Sequence, residues 1–294
     1  FGEESDELGY AKIIAERFQT DHHEFIIKPD NLMNLLEKIV WHLDEPIADG
    51  GAFATFLVSE VVKDYVKVIL VGEGADELFC GYSWYKMASP YFDFFPKAVK
   101  KRLYFYLNTY YRGWENYPVV YKKFEDMFDA GDGSGDFLSM MSFFEMQNLL
   151  PNCLLMKVDK MTMAHSIEAR APFLDHKLLE FVVALPREYK IKGLTGKYIL
   201  RKVMEGILPQ EIVERKKRGF LIPLDKWLES GLKGHANEIL MDDSSFSKNL
   251  LGNEMLCKLF RPQRGLRRIE YNILLWRLLI FEIWYRFYIK GSYR

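Results

Sequence analysis

Apolar and polar positions in the first third of the chain follow helical and strand-like patterns in turn. The spacing of apolar residues predicts helices over 6–18, 30–42 and 53–64. Two short β-branched runs, 22–28 and 66–71, predict strands, and the second has the nearly continuous apolar character of a strand covered on both faces. Strands separated by helices in this order predict a parallel α/β sheet.

Strand-like patterns become rare beyond Tyr82, where aromatic residues and prolines accumulate. The segment DAGDGSGD at 129–136 predicts a flexible connection, and we expect mostly helices from 137 to the end of the chain. These patterns divide the chain into a sheet-containing part over 1–95 and a mostly helical part over 96–294. The fold class is therefore α/β with a helical remainder.

Composition and charge exclude several classes of protein. Hydrophobic residues make up 49% and charged residues 28% of the 294 positions, which is typical of a folded chain. The formal net charge of -1 provides no global field for nucleic acid or anionic lipid, so neither is an expected partner. Three isolated cysteines indicate neither a disulfide framework nor a zinc site, and a reducing, cytoplasmic location fits best.

The most apolar segment, 273–289, predicts a helix that faces the core. Arg277, Glu282 and Arg286 interrupt it, and so much charge does not suit the hydrocarbon interior of a membrane. We therefore expect no membrane partner.

The stretch VGEGADELFCGY at 71–82 joins the predicted strand 66–71 to a short helix through a Gly-x-Gly turn. In parallel α/β sheets, ligands bind where the carboxyl end of a strand meets a helix N-terminus. Carboxylates beside a bound phosphate would repel it unless a divalent cation lies between the carboxylates and the phosphate. Asp76 or Glu77 is thus expected to reach Mg²⁺, which leaves Glu73 for proton transfer.

Two other interpretations of this stretch remain open. The acids could simply cap the helix and interact favourably with its dipole. A dinucleotide-binding turn is the weaker alternative, because Glu77 stands where the fingerprint requires a third glycine.

Two further glycine-containing stretches give weaker signals. DEPIADGG at 44–51 places Asp44, Glu45 and Asp49 in a loop, which suits either metal contact or ordinary turn chemistry. GLTGKY at 193–198 lacks the spacing of a nucleotide-binding P-loop and predicts a turn before a helix.

The block VDKMTMAHSIEARAPFLD at 158–175 combines core positions with charge. We expect Met161, Met163 and Ile167 in the core and His165 as a satisfied packing residue. Glu168 and Arg170 follow in this block, where the helix must end. One interpretation of these two residues is a buried structural ion pair.

Basic residues cluster in ERKKRGFLIPLDKW at 214–227. Such a cluster is usually a solvated face, and a nucleic-acid surface would need more cations with aromatic residues between them. A glycine-anchored lysine loop can also close over a triphosphate.

Taken together, these blocks resemble the synthetase domain of glutamine-hydrolysing asparagine synthetases. The similarity covers nearly the whole chain, and it is most specific in GEGADELF and EARAPFLD. The other stretches that carry it are DELGYAKIIAERFQTDHHEF, HLDEPIADGGAFATFLVSE, KYILRKVM, RKKRGFLIPLDKWL and LLWRLLIFEIW.

The resemblance implies a fold of the adenine nucleotide alpha hydrolase-like, ATP-pyrophosphatase type, with ATP and Mg²⁺ as cofactors. It implies an ATP-dependent ligase that adenylates the aspartate carboxylate and transfers ammonia to it, giving asparagine, AMP and pyrophosphate. The implied partners are small molecules, and a homodimer is a candidate assembly.

The resemblance also implies roles for single residues. Glu73 matches the catalytic glutamate, as the base for the incoming amine, and Lys217 matches a lysine that neutralises charge on the phosphates. Asp76 matches the pyrophosphate and metal side. The other matched positions are Gly72, Gly74 and Asp49 for the nucleotide, and Glu168, Arg170 and Asp175 for the acceptor acid.

The sequence departs from the family pattern in several places. Val71 stands where the family often has Ser or Thr, Cys80 replaces a common glycine, and Gly50-Gly51 replaces a common Pro-Ser. The S-G-G-x-D-S pyrophosphate loop and the glutaminase domain, which the family carries upstream of the position of Phe1, are missing from these 294 residues. A chain of this kind alone is expected to bind ATP poorly.

Three hypotheses about function follow. The first is an asparagine synthetase-type ligase. The second is an amidotransferase or cyclase of the same family that acts on another carboxylate. The third is a catalytically silent remnant that serves as a binding module.

Overall fold

The computed structural model describes residues 7–25, 32–108, 117–130, 136–215, 223–261 and 266–291. Helices dominate these residues, and two short strands, β1 (Val68–Leu70) and β2 (Glu168–Arg170), form a parallel pair. The α-helices are α1 Leu8–Phe18, α2 Leu32–Leu43, α3 Gly51–Val62, α4 Ala75–Phe79, α5 Lys97–Asn108, α6 Tyr117–Asp129, α7 Phe137–Gln147, α8 Met156–Met163, α9 His176–Ala184, α10 Arg187–Lys190, α11 Tyr198–Met204, α12 Gln210–Glu214, α13 Leu224–Trp227, α14 Lys233–Met241, α15 Phe246–Leu251, α16 Asn253–Phe260 and α17 Leu266–Tyr288. Short 3₁₀-helices cover Ser83–Ala88, Pro90–Phe92 and Pro172–Leu174, and π-helical turns cover Leu150–Leu155 and Leu228–Leu232.

The first three predicted helices are confirmed as α1, α2 and α3. In α2 the buried side chains recur every three or four residues, as at Leu36, Ile39 and Val40, because one face of the helix packs on the core. The predicted strand at 22–28 is wrong over 22–25, which forms neither helix nor strand, and its last residues lie outside the described part.

The parallel sheet pairs β1 with a segment that we predicted as a helix end. Helix α8 ends at Met163, and Ser166, whose φ is 58°, turns the chain back. Residues 168–170 then run parallel to β1, with Ile69 opposite Ala169. The expected charged helix end is therefore wrong, since a left-handed turn ends α8 before Glu168.

β1 is less covered than its sequence suggests. Val68 is 42% exposed and Leu70 is 73% exposed among the described residues, so the prediction of a strand covered on both faces is wrong. The described part of the chain is thus mostly helical. The predicted parallel sheet is present, but it has only two short strands among the described residues.

The largest hydrophobic cluster joins early and late helices of the chain. It packs α2 and α3 against α14, α16 and α17, with Phe53 between the indoles of Trp227 and Trp276. The predicted core-facing helix at 273–289 is confirmed as part of α17. Within the described residues, no helix is both long enough and apolar enough to cross a membrane.

A second hydrophobic cluster is rich in aromatic rings and packs against α4 through α7. Helices α5, α6 and α7 contribute most of it, with Tyr104, Phe124 and Phe128 at its centre. A smaller cluster joins Leu78 and Phe79 of α4 to α9. Most of the predicted connection 129–136 lies outside the described residues, and the division of the chain near residue 95 stays a prediction.

Candidate functional site

The site is built on the turn between β1 and α4. Val71 N–H donates to the Arg170 carbonyl at 2.8 Å, which continues the parallel pairing to the end of the strand. Gly72, Glu73 and Gly74 then form the turn, and Glu73 is partly buried. The acids of this stretch therefore stand at the carboxyl edge of the sheet, where the sequence predicted a ligand site.

The two glycines of the turn have different surroundings. Gly74 has a φ of 90°, and a Cβ there would lie 2.3 Å from Leu174 Cδ2. No atom would lie within 4 Å of a Cβ on Gly72, which is exposed. Gly74 thus lets the turn 172–174 pack against this turn, while Gly72 leaves the outer side open to a ligand.

Asp76 is paired with a lysine that the sequence analysis did not select. Lys197 Nζ lies 2.9 Å from Asp76 Oδ1. Lys197 N–H also donates to the Phe79 carbonyl at 2.8 Å, which brings its segment against the end of α4. The predicted turn before a helix is confirmed, since α11 begins at Tyr198. The sequence did not predict that this turn places the cation of Lys197 beside Asp76.

Glycines make this contact between the segments possible. A Cβ on Gly81 would lie 1.8 Å from Asp76 Oδ1, and one on Gly196 would lie 2.1 Å from the Cys80 carbonyl oxygen. The Gly-Lys pair at 196–197 was the available signal for Lys197, but its spacing matched no known phosphate loop.

Glu77 faces the aromatic cluster instead of the open side of the turn. It is almost fully buried, and its carboxylate accepts a hydrogen bond from the Tyr82 hydroxyl. Burial raises the pKa of Glu77, against the effect of that hydrogen bond. Ser142 Oγ donates to the Glu77 carbonyl at 2.8 Å, so α7 holds α4 in place. Of the two acids considered for Mg²⁺, Asp76 is the one beside Glu73 that keeps some exposure.

A second buried carboxyl lies in the same cluster. Glu145 of α7 accepts a hydrogen bond from the Tyr104 hydroxyl. Burial, and to a lesser extent the charge of Glu77, raise the pKa of Glu145 to about 7. Glu77 and Glu145 are both buried and hydrogen-bonded to tyrosines, so neither is available to a ligand at the exposed turn.

Asp49 is held at the start of α3 by two donors. Its Oδ1 accepts from Gly51 N–H at 2.9 Å, and its Oδ2 lies 2.6 Å from Lys157 Nζ of α8. Lys157 is a further residue that the sequence analysis missed, because the two partners are 108 positions apart.

Cys153 lies within electrostatic range of Glu73, Asp49 and Lys157, and the pKa of its thiol is raised to about 11. Burial is the main cause, and the charges of Asp49 and Glu73 raise the pKa further while that of Lys157 lowers it. One lysine and two acids thus act electrostatically on this thiol, and the Lys157–Asp49 pair joins α8 to the start of α3.

The whole loop before α3 is fastened from two sides. Lys160 of α8 donates to the Leu43 carbonyl at 3.0 Å and pairs with Asp44. Two indoles of α17 donate to loop carbonyls, Trp276 to Ala48 at 2.9 Å and Trp284 to Asp44 at 2.8 Å. This network gives Asp49 a fixed position.

Three residues were matched to the acceptor acid: Glu168, Arg170 and Asp175. The backbone of Arg170 pairs with Val71 at the start of the Glu73 turn, whereas Asp175 caps a helix. Arg170 Nε and Glu168 Oε1 are 2.8 Å apart, and both side chains are exposed, so the interpretation as a buried ion pair is wrong. Asp175 caps α9 by accepting from Lys177 N–H at 3.0 Å and Leu178 N–H at 3.2 Å. Asp175 therefore has a structural task, and the strand end carrying Arg170 lies beside the Glu73 turn.

The other expectations for this block are partly met. Met161 and Ile167 are fully buried, but Met163 is 55% exposed, so its assignment to the core is wrong. His165 is a packing residue as predicted, with its ring 4.4 Å from that of Phe56. Its Nδ1 lies 3.2 Å from the Met161 carbonyl oxygen.

Lys217 lies outside the described residues. The chain just before it is anchored, since Arg215 pairs with Glu7 at 2.7 Å and its guanidinium lies over the Tyr10 ring. No cluster of three or more His, Cys, Asp or Glu side chains within the described part suits a metal. Mg²⁺ commonly needs only one or two carboxylates beside substrate phosphates, so Asp76 fits that mode.

Comparison with known proteins decides the family. The model of the asparagine synthase family matches residues 1–286. The chain belongs to the asparagine synthase family. It is 28% identical to glutamine-hydrolyzing asparagine synthetase 1 of Bacillus subtilis over 324 aligned positions, which cover 98% of this chain and 51% of that protein. It is 33% identical to asparagine synthetase 3 of the same organism, over 72% of this chain and 36% of that protein.

A eukaryotic relative shows the same relation. Asparagine synthetase 1 of Saccharomyces cerevisiae is 27% identical over 81% of this chain and 36% of its own length. The chain thus spans about half the length, or less, of these relatives. Membership confirms the resemblance seen in the GEGADELF and EARAPFLD blocks.

Proposed function

We propose that the chain carries the site of an ATP-dependent, amide-forming ligase that acts on aspartate. The observation that supports this most directly is the turn after β1, where Glu73 lies three residues before Asp76, which is paired with Lys197. Glu73 and the Asp49–Lys157 pair also act electrostatically on the same thiol, that of Cys153. Acids and compensating lysines at the carboxyl edge of a parallel sheet suit a bound nucleotide and a carboxylate. Family membership supports the same chemistry.

The first step in this proposal is adenylation. An oxygen of the aspartate side-chain carboxylate attacks the α-phosphorus of ATP. A new phosphorus–oxygen bond forms, the bond between the α-phosphorus and the bridging oxygen breaks, and pyrophosphate leaves with the bonding electrons. Asp76 and Lys197 are assigned to bind and orient the polyphosphate; their ion pair and the open space at Gly72 support this assignment. Lys217 is assigned the neutralisation of charge on the departing pyrophosphate. Mg²⁺, held by Asp76 and the phosphates, would supply charge compensation.

The second step is amide formation. Ammonia attacks the acyl carbon of the adenylate, the carbon–oxygen bond to AMP breaks, and AMP leaves with the electron pair. Glu73 accepts the proton that the nitrogen loses, since a carboxylate near the reacting carbon is a suitable general base. Asp49 positions the nucleotide. Arg170, with Glu168 and Asp175 around it, is assigned to the acceptor acid, and the exposed pair Glu168–Arg170 is able to exchange partners with a substrate carboxylate.

The experiment that tests this proposal is a panel of acceptor acids. The chain is incubated with MgATP, ammonium and one acid at a time, and AMP, pyrophosphate and amide are measured. The proposal expects AMP and amide in equal amounts with aspartate and little with other acids. AMP formed only with another carboxylate would instead favour a family amidotransferase or cyclase. A folded chain that makes no AMP with any acid would favour a binding module without chemistry.

A further inference from the structure

Lys157 is a buried lysine of α8 that pairs with Asp49 at the start of α3. Its side chain is 8% exposed, and its ammonium approaches α3 closely enough that a Cβ on Gly51 would lie 2.9 Å from Nζ. The thiol of Cys153, four positions earlier, senses the charges of both Lys157 and Glu73. Cys153 is therefore within electrostatic range of both the Lys157–Asp49 pair and the candidate base.

The ion pair with Asp49 leaves donor capacity on the lysine. An ammonium carries three N–H donors, and Asp49 Oδ2 is the acceptor that the described residues provide for Lys157. Asp49 itself already accepts from Gly51 N–H through its other oxygen. The carboxylate is thus engaged by the protein on both oxygens, whereas the ammonium can donate again.

We propose that Lys157 contacts the ligand directly, by donating a hydrogen bond to an anionic oxygen of the reacting group beside Glu73. This inference rests on the proposed function, because it requires the reacting group to lie at Glu73. The anionic oxygen belongs either to the acceptor carboxylate or to the α-phosphate of ATP. A desolvated, pre-positioned cation stabilises such charge strongly, and Asp49 compensates the ammonium until the ligand binds.

Cys153 provides a probe that does not depend on catalysis. The rate of its alkylation by iodoacetamide at alkaline pH is followed by peptide mass spectrometry, with Cys257 of the same sample as an internal reference. MgATP and aspartate are titrated separately, which distinguishes the two sources of the anionic oxygen. The change in rate with ligand concentration gives an apparent Kd for each.

The test variant is Lys157→Met, which removes the charge and keeps most of the apolar stem. Its matched control is Lys100→Met, because Lys100 is also 8% exposed but lies in the aromatic cluster. Circular dichroism and the thermal midpoint confirm that each variant is folded.

We expect Lys157→Met to raise the apparent Kd of one ligand by about tenfold to a hundredfold, the loss of one charged hydrogen bond. Lys100→Met should stay within about threefold of wild type. A folded Lys157→Met chain that binds both ligands like wild type would overturn the inference and leave the proposed function intact. If neither ligand affects Cys153 of the wild-type chain, the proposed function falls, and this inference falls with it.

Discussion

Replacing Gly74 with alanine tests how the turn that carries Glu73 is held. Alanine would have to adopt a φ of 90°, and its Cβ would lie 2.3 Å from Leu174 Cδ2 and 2.8 Å from Leu174 Cγ. Backbone strain of this kind costs about 1–3 kcal/mol. Forcing a methyl group into a packed contact costs about 1–3 kcal/mol more. We therefore expect Gly74→Ala to lower the free energy of unfolding by about 2–6 kcal/mol.

Gly72 provides a control in the same turn. A Cβ there meets no atom within 4 Å, and its φ is not positive. Gly72→Ala should change the free energy of unfolding by less than about 0.5 kcal/mol. Adding Leu174→Ala to Gly74→Ala should restore part of the free energy of unfolding that the clash removes. The backbone strain at residue 74 remains, so the recovery is incomplete.

Urea unfolding followed by tryptophan fluorescence measures all four chains. The expected order of unfolding midpoints is wild type equal to Gly72→Ala, with Gly74→Ala well below both. If Gly74→Ala unfolds within about 0.5 kcal/mol of Gly72→Ala, the close packing of the two turns is refuted.

Two further predictions concern the surroundings of the site. The pKa of Glu145 rises from 4.5 to about 7 on folding, so the unfolded chain loses this proton first and stability falls as pH rises through this window, by about 3 kcal/mol in full. Urea unfolding between pH 5 and 8 should show a weaker decline for Glu145→Gln than for wild type, and equal slopes would contradict the pKa assignment. Asp175→Ala removes the cap of α9 and should cost about 0.5–2 kcal/mol of the free energy of unfolding, whereas an unchanged midpoint would show that the cap contributes nothing.

Local pattern was enough to predict helices α1, α2, α3, α11 and α17 and the turn that carries the candidate site. Helices such as α2 and α17 bury a regularly spaced face, and that spacing is visible in the chain itself. The Gly-Glu-Gly turn after β1 was equally visible, since glycines and acids directly follow an apolar run.

Contacts between distant segments could not be predicted in this way. Lys157 meets Asp49, and Lys197 meets Asp76, only because α8 and the segment before α11 fold back on the site. The short strand at 168–170 was missed for the same reason, because its pairing with β1 depends on a left-handed turn at Ser166. Neighbouring helical residues point about 100° apart, so Asp76 and Glu77 could not both face the same way, and the sequence did not show that Glu77 is the buried one.

The role of Glu73 as the base in amide formation is the central claim of this account. The most direct measurement compares the wild-type chain with Glu73→Gln in two assays, exchange of labelled pyrophosphate into ATP with aspartate, and amide formation with ammonium. We expect the variant to keep the exchange and to lose amide formation by at least about a hundredfold, because only the second step needs the base. A Glu73→Gln chain that forms amide at the wild-type rate would contradict the account.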